Sequence, residues 1–428
     1  MRKHKKEKKK APVLYMQKNQ DAFSKIRNLV SAKLEKTGIR NRAKKKFMTS
    51  LFILFMGLGG RHNFLNMARY GNYTEKTYRN NFEGPFDFLS FNKEIVLDSC
   101  SDEVIIAFDP SYIPKSGKET PGIGKYWSGV SGKALRGLEI GGIGAVDVVN
   151  NTALSLEAVQ TLPAQELQKR GESLVTYYAS IIIGRKDILE GLSNYLVADG
   201  YFAKEKFVNP INAQTQLELI SKMRKDANLY YLYQGKPTGK KGRPKVKDGK
   251  IDMKNIDKER FKMAYEDEGV KVYEGVVYSV NLKRKIKLAY IEFWEDGKNT
   301  NRYAVLFSTD LKLSGERIYR YYKARFQIEF LFRDAKQFAG LTHSQARSKN
   351  KLHFHFNTSL TSVSIAKAAC YLPLESHQKN GFSMSNVRTL YSNKIIADRI
   401  FSNLGLDLSC EKINQIYWDA LWLGKIAS

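Results

Sequence analysis

The chain has 428 residues, enough for two or three domains with a sizeable core, and its 71 Lys and Arg against 43 Asp and Glu leave +28 at neutral pH. A charge of that size calls for a polyanionic partner, and nucleic acid is the first candidate. Three cysteines, Cys100, Cys370 and Cys410, are too few and too scattered for a disulfide framework or a zinc cluster, and they fit a reducing, cytoplasmic setting.

Residues 1–10, MRKHKKEKKK, cannot bury anything and read as a basic arm whose lysines can hold phosphates without sequence preference. From Lys18 to Arg69 the apolar spacing is helical. Within that span FMTSLFILFMGLGG, Phe47 to Gly60, is shorter than the roughly 20 residues a membrane span needs, so it reads as a buried helix and no membrane is expected. Asn63 to Ala68, a turn at Tyr70, Gly71 and Asn72, and then Thr74 to Phe82 have the form of a helix-turn-helix. Thr74 would cap the second helix, leaving Lys76, Thr77, Arg79 and Asn80 to reach base edges in a major groove. An ordinary helix pair packed on the core is the competing reading.

At Asp102 the pattern changes to strand. Val104 to Phe108 is a continuous apolar run that ends at Asp109 and Pro110, as a central strand delivering a carboxylate would. A turn aspartate before proline is the alternative. Leu138 to Val149 and Ala153 to Thr161 are two more strands, joined at Asn150 and Asn151 as a hairpin beside the first. Ser173 to Leu189 reads as a helix, and Tyr195 to Ala198 is a short apolar strand ending at Asp199. Strands that end in acids at a common edge let two carboxylates converge, an arrangement whose repulsion makes sense only around a cation. Asp147, inside the hairpin, and Asp187, on a helix with Arg185 and Lys186, compete with Asp199 and are less well placed.

A strand at Leu217 to Met223 precedes the loop QGKPTGKKGRPKVKDGK, residues 234–250. Its Gly242-Arg243-Pro244-Lys245 core looks like a minor-groove hook, with Arg243 the contact, although a plain basic linker has the same composition. Val270 to Tyr278, Ile286 to Trp294 and Arg302 to Ser308 follow as the strands of a small β subdomain; Trp294 would either wedge into distorted DNA or fill the core. Then comes YRYYKARFQIEFLFRDAKQFAG, Tyr319 to Gly340, read as one amphipathic helix ending at its glycine. Tyr322, Arg325, Glu329 and Lys336 share a stripe roughly 60° wide on it. His353 and His355 lie two apart among Leu352, Phe354 and Phe356, which favours packing over metal binding. A C-terminal helix, capped at Ser409, carries the stripe Ile413, Ile416, Tyr417, Ala420 and Leu421, suited to a core or a dimer contact. There is no Walker loop, dinucleotide fingerprint or internal repeat.

Tyr322, two residues, Arg325, three residues, Glu329, six residues, Lys336 is the Y-(2)-R-(3)-E-(6)-K signature, and in it the chain resembles the insertion-sequence DDE transposases that carry a YREK box. The resemblance spans roughly residues 100–345. It implies an RNase H-like core in which Glu329 is the third metal-binding carboxylate after Asp109 and Asp199. Two Mg²⁺ or Mn²⁺ ions would be the cofactors. It further implies that Tyr322, Arg325 and Lys336 hold DNA at the transposon end, with Lys115 and Lys118 near the scissile phosphate.

The expected architecture is therefore α/β. A basic arm and helical DNA-binding region fill 1–95, the RNase H-like core 96–233 and 313–380, a basic loop and β-strand insertion 234–312, and a helical C-terminal region 381–428. The expected activity is cleavage of double-stranded DNA at element ends and joining of the 3′ ends to target DNA. The protein would act as a homodimer on DNA, in the nucleoid of a bacterial cytoplasm. A metal-dependent nuclease or resolvase that does not join, and a DNA-binding transposition inhibitor without catalysis, are the alternatives.

Overall fold

The computed structural model describes residues 11–235, 245–295, 298–375, 378–379 and 382–424. The described chain opens on the helices α1 (Ala11–Lys36), α2 (Arg42–Gly57), α3 (Phe64–Tyr70), α4 (Glu75–Glu83) and α5 (Phe88–Ser99). The apolar run is a core helix: Asn41 caps α2 by accepting from the Lys44 N–H, and Phe47, Leu51, Phe52 and Phe55 are buried. Among the described residues no helix is long and apolar enough to cross a membrane. Thr74 caps α4, its hydroxyl accepting from the Thr77 N–H at 3.2 Å. Tyr78 and Phe82 of α4 are buried, while Lys76, Arg79 and Asn80 are exposed.

Next come β1 (Val104–Pro114), β2 (Gly124–Ser128), β3 (Lys133–Asp147), β4 (Thr152–Gln160), α6 (Ala164–Lys169), α7 (Leu174–Ile183), α8 (Lys186–Leu189), β5 (Tyr195–Ala198), α9 (Glu205–Gln214) and β6 (Glu218–Lys222). The helix expected from Ser173 to Leu189 is interrupted at Gly184 and Arg185. Then follow β7 (Leu229–Leu232), β8 (Lys247–Lys250), β9 (Lys262–Asp267), β10 (Val270–Ser279), β11 (Arg284–Glu295) and β12 (Lys298–Ser308). The helices α10 (Gly315–Ala324), α11 (Gln327–Phe338), α12 (Lys349–Cys370), α13 (Met384–Asn403) and α14 (Glu411–Leu421) end the described chain. α14 follows Cys410 without a side-chain cap, because Ser409, expected there, bonds Asp407 instead.

One mixed sheet of 12 described strands organises this succession. β4, β3 and β1 form an antiparallel meander, turned between β3 and β4 at Asn151, whose φ is +49°. β5 lies parallel to β1, and β6 parallel to β5. The later strands do not make a sheet of their own: β12 pairs antiparallel with β6, and β11, β10 and β7 continue outward from it.

The edge of β4 away from β3 is closed by side chains. Asn357 of α12 accepts from the Ala158 N–H at 2.7 Å and donates to the Ala158 carbonyl at 2.9 Å. The Ser364 hydroxyl accepts from the Ser155 N–H, and Asn92 of α5 donates to the Leu156 carbonyl. This explains why α12, rich in Ser, Thr and Asn, is buried almost throughout. Its polar groups satisfy the backbone donors and acceptors that an edge strand would otherwise bury unpaired.

Candidate active site

The strand expected to end at Asp109 runs on to Pro114, because β3 stays paired with it as far as Gly137. What ends is β5. Its last residue, Ala198, stands opposite Phe108, so Asp109 and Asp199 come next in register on adjacent parallel strands, which lie roughly 4.8 Å apart. Pro110, without an N–H, falls just beyond the last β1–β5 pair, where that edge carries no strand. Past Ala198 the chain turns, and Asp199 accepts from the Tyr201 N–H at 2.9 Å.

Glu329 is brought to the same place by glycines. Asp109 stands opposite Gly142 on β3, and by strand alternation both face the side on which α11 lies. A Cβ at Gly142 would collide with the Phe332 ring, and one at Gly144 would press on Ile328. Gly142 and Gly144 thus leave a trough into which α11 sinks Ile328 and Phe332, and Glu329, between them in sequence, is held beside Asp109. The single helix expected from Tyr319 to Gly340 is broken at Arg325 and Phe326. There the backbone tightens to i→i−3 bonds, from the Ile328 N–H to the Arg325 carbonyl and from the Glu329 N–H to the Phe326 carbonyl. Gly340 does stop α11, in the left-handed conformation at φ +66° and against the His62 ring, where no side chain would fit.

Asp109, Asp199 and Glu329 line one cavity of about 1010 Å³ with Lys336 and Glu139. Burial, with Glu329, Asp199 and Glu139 adding repulsion against the attraction of Arg325, pushes the Asp109 carboxyl up to about 7. Arg325 is 7 % exposed and spans two of the acids, donating to Asp109 at 3.3 Å and to Glu329 at 3.0 Å. Tyr322 lies against this guanidinium, 5.7 Å from ring centroid to Cζ. Lys336 is held below its usual range by burial, offset by Asp109. Among the described residues no three His, Cys, Asp or Glu side chains are gathered closely enough to hold a metal ion as they stand. Arg325 is the group that spans Asp109 and Glu329.

The competing acids are elsewhere. Asp147 is buried under four hydrogen bonds from Ser101 and Asn150, and Asp187 is exposed on α8. Lys115 and Lys118 do not line the carboxylate cavity; they line a separate groove. Arg243 lies outside the described residues. Trp294 is half-buried under the Lys271 ammonium, away from the cavity, and His355 is buried with its Nε2 bonded to the Gly340 carbonyl.

Two groups at the cavity escape the sequence reading. Glu139 is buried on β3, accepts from the Tyr178 hydroxyl, and is held above the usual carboxylate range by burial against those hydrogen bonds. Its signal, an acid among apolar residues in LEIGG, is visible but ambiguous. Trp127, 63 % exposed at the cavity wall, carries no signal that separates it from any strand tryptophan.

Residues 184–365 match the family model of the transposase DDE domain. That segment runs from the end of α7 into α12 and takes in Asp199, Tyr322, Arg325, Glu329 and Lys336, while Asp109 lies before it. No curated protein matches the chain. The match supports a DDE transposase, and so an enzyme whose family works on DNA.

Proposed function

We propose that this protein binds the ends of an insertion sequence, cleaves DNA phosphodiesters there and joins the 3′ ends to target DNA. The observation that carries the proposal is the convergence of Asp109, Asp199 and Glu329, from two parallel strands and a helix, on one cavity. The meander of β4, β3 and β1, followed by β5 and β6 parallel to β1, supports an RNase H-like core.

Asp109, Asp199 and Glu329 would hold two Mg²⁺ or Mn²⁺ ions, since carboxylates alone select hard cations. The residues fit that role, because a proton on Asp109 near pH 7 and a guanidinium between two acids are what such a cluster needs in the absence of metal. Bound there, the ions would favour deprotonation of the attacking hydroxyl and offset charge on the departing 3′-oxygen. Arg325, once released from the carboxylates, has the planar donor set for bidentate contact with a phosphate, and Tyr322 limits its travel. Lys336 lines the cavity as a second cation for the DNA backbone. Hydrolysis and strand transfer are both in-line attacks on a phosphodiester, so one site serves both. Two copies acting on paired ends would form the working homodimer, in the nucleoid of a bacterial cytoplasm.

The test is incubation of the protein with end DNA, a plasmid target and Mg²⁺. Joined product is expected. Cut product alone would make it a nuclease or resolvase, and a mobility shift alone a binding protein or inhibitor.

A further inference from the structure

Beyond Asp109, β1 runs on to Pro114 and delivers Lys115 into a second groove, of about 560 Å³. At about 3.3 Å per residue, Lys115 lies roughly 20 Å along the strand from Asp109. Three separate stretches of chain form this groove: the residues before α3, the loop after β1 and the segment after α11. They contribute Arg61, then Lys115 and Lys118, then Arg347, against the single carboxylate of Glu119.

Among the described residues none of these four cations forms an ion pair. The adjoining groove differs: there Arg79 pairs with Glu75, and Lys351 with Glu83. Repulsion inside the cluster is evident in its electrostatics. Burial lowers the Lys115 ammonium and Arg61 lowers it further, while His343 on the same wall is lowered by burial, Arg388 and Arg61. Like charges drawn from three segments and without counterions, Lys115 half-buried and Arg61, Lys118 and Arg347 exposed around it, are relieved by an anion that bridges them. A local helix pattern would not produce this grouping; the fold assembles it.

The geometry points to a binding site in this groove for the phosphate backbone of duplex DNA that continues past the scissile bond. Resting on the transposase reading, it places those phosphates about 20 Å, or roughly six base pairs, from the carboxylates. The duplex is then held at two points, and the cut at one is registered by the grip at the other.

The experiment uses the full chain and a fluorescein-labelled 24-bp duplex of arbitrary sequence, with anisotropy read from 50 to 200 mM NaCl. The groove variant is Arg61→Ala, Lys115→Ala, Lys118→Ala and Arg347→Ala combined; the control removes the same charge as Lys186→Ala, Lys254→Ala, Lys312→Ala and Lys412→Ala. The groove variant should lower the slope of log affinity against log salt by about three, and raise Kd at 100 mM at least about tenfold, with a much smaller effect in the control. Should the four-fold variant not fold, Lys118→Ala with Arg347→Ala, both at exposed positions, should lower the slope by about two. On whichever duplex the protein cuts, neutral methylphosphonates about six phosphates from the cut should weaken the wild type and leave the groove variant unchanged. An unchanged slope, or equal losses in groove and control variants, overturns the inference. If the slope falls but the wild type cuts no DNA, the transposase reading fails alone; if the wild type cuts and the slope holds, the groove fails alone.

Discussion

Asp147 and Asp109 belong to the same ribbon of β1 and β3 and meet opposite fates. Asp147, opposite Val104 at one end, accepts from the Ser101 N–H and hydroxyl and from the Asn150 N–H and side-chain amide, all within 2.8 Å. Burial works to raise its pKa, but these donors overcome it and hold the carboxyl below the usual range. Asp109, five residues along β1 from Val104, has Gly142 opposite, acids around it and, among the described residues, only Arg325 as a side-chain donor, and is pushed up to about 7. Asp147 is buried and Asp109 half-buried, both on strands of one pair. What separates the carboxylate that holds a turn from the one pushed up towards neutrality is the supply of donors.

The comparison breaks most visibly in catalysis. Asp109→Ala, Asp199→Ala and Glu329→Ala should each lower Mg²⁺-dependent strand cleavage by about 10³-fold or more, roughly 4 kcal/mol of barrier, in an assay on one labelled duplex. Each should bind that duplex without metal at least as well as the wild type, since a negative charge has left the cavity. Normal cutting by Asp199→Ala with loss in Asp147→Ala or Asp187→Ala would put the second carboxylate elsewhere. In stability the order reverses. Asp147→Ala leaves buried donors unmatched and should cost about 3 kcal/mol in a urea melt, whereas Asp109→Asn should cost nothing or stabilise the metal-free protein.

The two acids should also bend the stability curve in opposite directions. Because the Asp109 pKa is raised in the fold, the native state holds its proton between about pH 4 and about 7, so metal-free stability should fall across that window, by on the order of 2–4 kcal/mol. Asp147, lowered in the fold, contributes stability above about pH 4 that is lost as pH falls through its native value. Melts from pH 3 to 8 should therefore show Asp109→Asn removing the decline towards neutrality, and Asp147→Asn removing the steep acid limb. Mg²⁺ should remove the decline in the wild type. The smallest effect concerns Arg325, which is tied to carboxylates without metal: Arg325→Ala should weaken duplex binding about tenfold with Mg²⁺ and little without it, read by anisotropy under both conditions.

Much of this site is legible in the sequence because its signals are local. An apolar run closed by an acid marks Asp109 and Asp199, and fixed spacing marks Tyr322, Arg325, Glu329 and Lys336. What the sequence hides is pairing. β1 continues past Asp109 because β3 is long enough to hold it, and the helix breaks at Arg325 where its side chain bridges two carboxylates from separate elements. The phosphate contact of Arg325 and the place of Lys115 and Lys118 beside the scissile bond are what the family resemblance implies, and a resemblance carries no information about what surrounds each side chain. Their surroundings come from three distant segments. Glu139 stays hidden because an acid inside an apolar strand has no periodicity of its own, and the burial of α12 because its Ser, Thr and Asn residues look solvent-facing until the edge of β4 is placed beside them.

That edge bears on how the sheet could have grown. Asn357 offers one acceptor and one donor to a single residue of β4, as the backbone of a neighbouring strand would, so α12 acts as a terminal strand made of side chains. A sheet shut in this way along β4 is closed to further strands there, whereas its other end is open to them. The strands from β12 to β7 are attached there, at β6, on the side where an addition leaves the register of β1 and β5, and with it the spacing of Asp109 and Asp199, untouched.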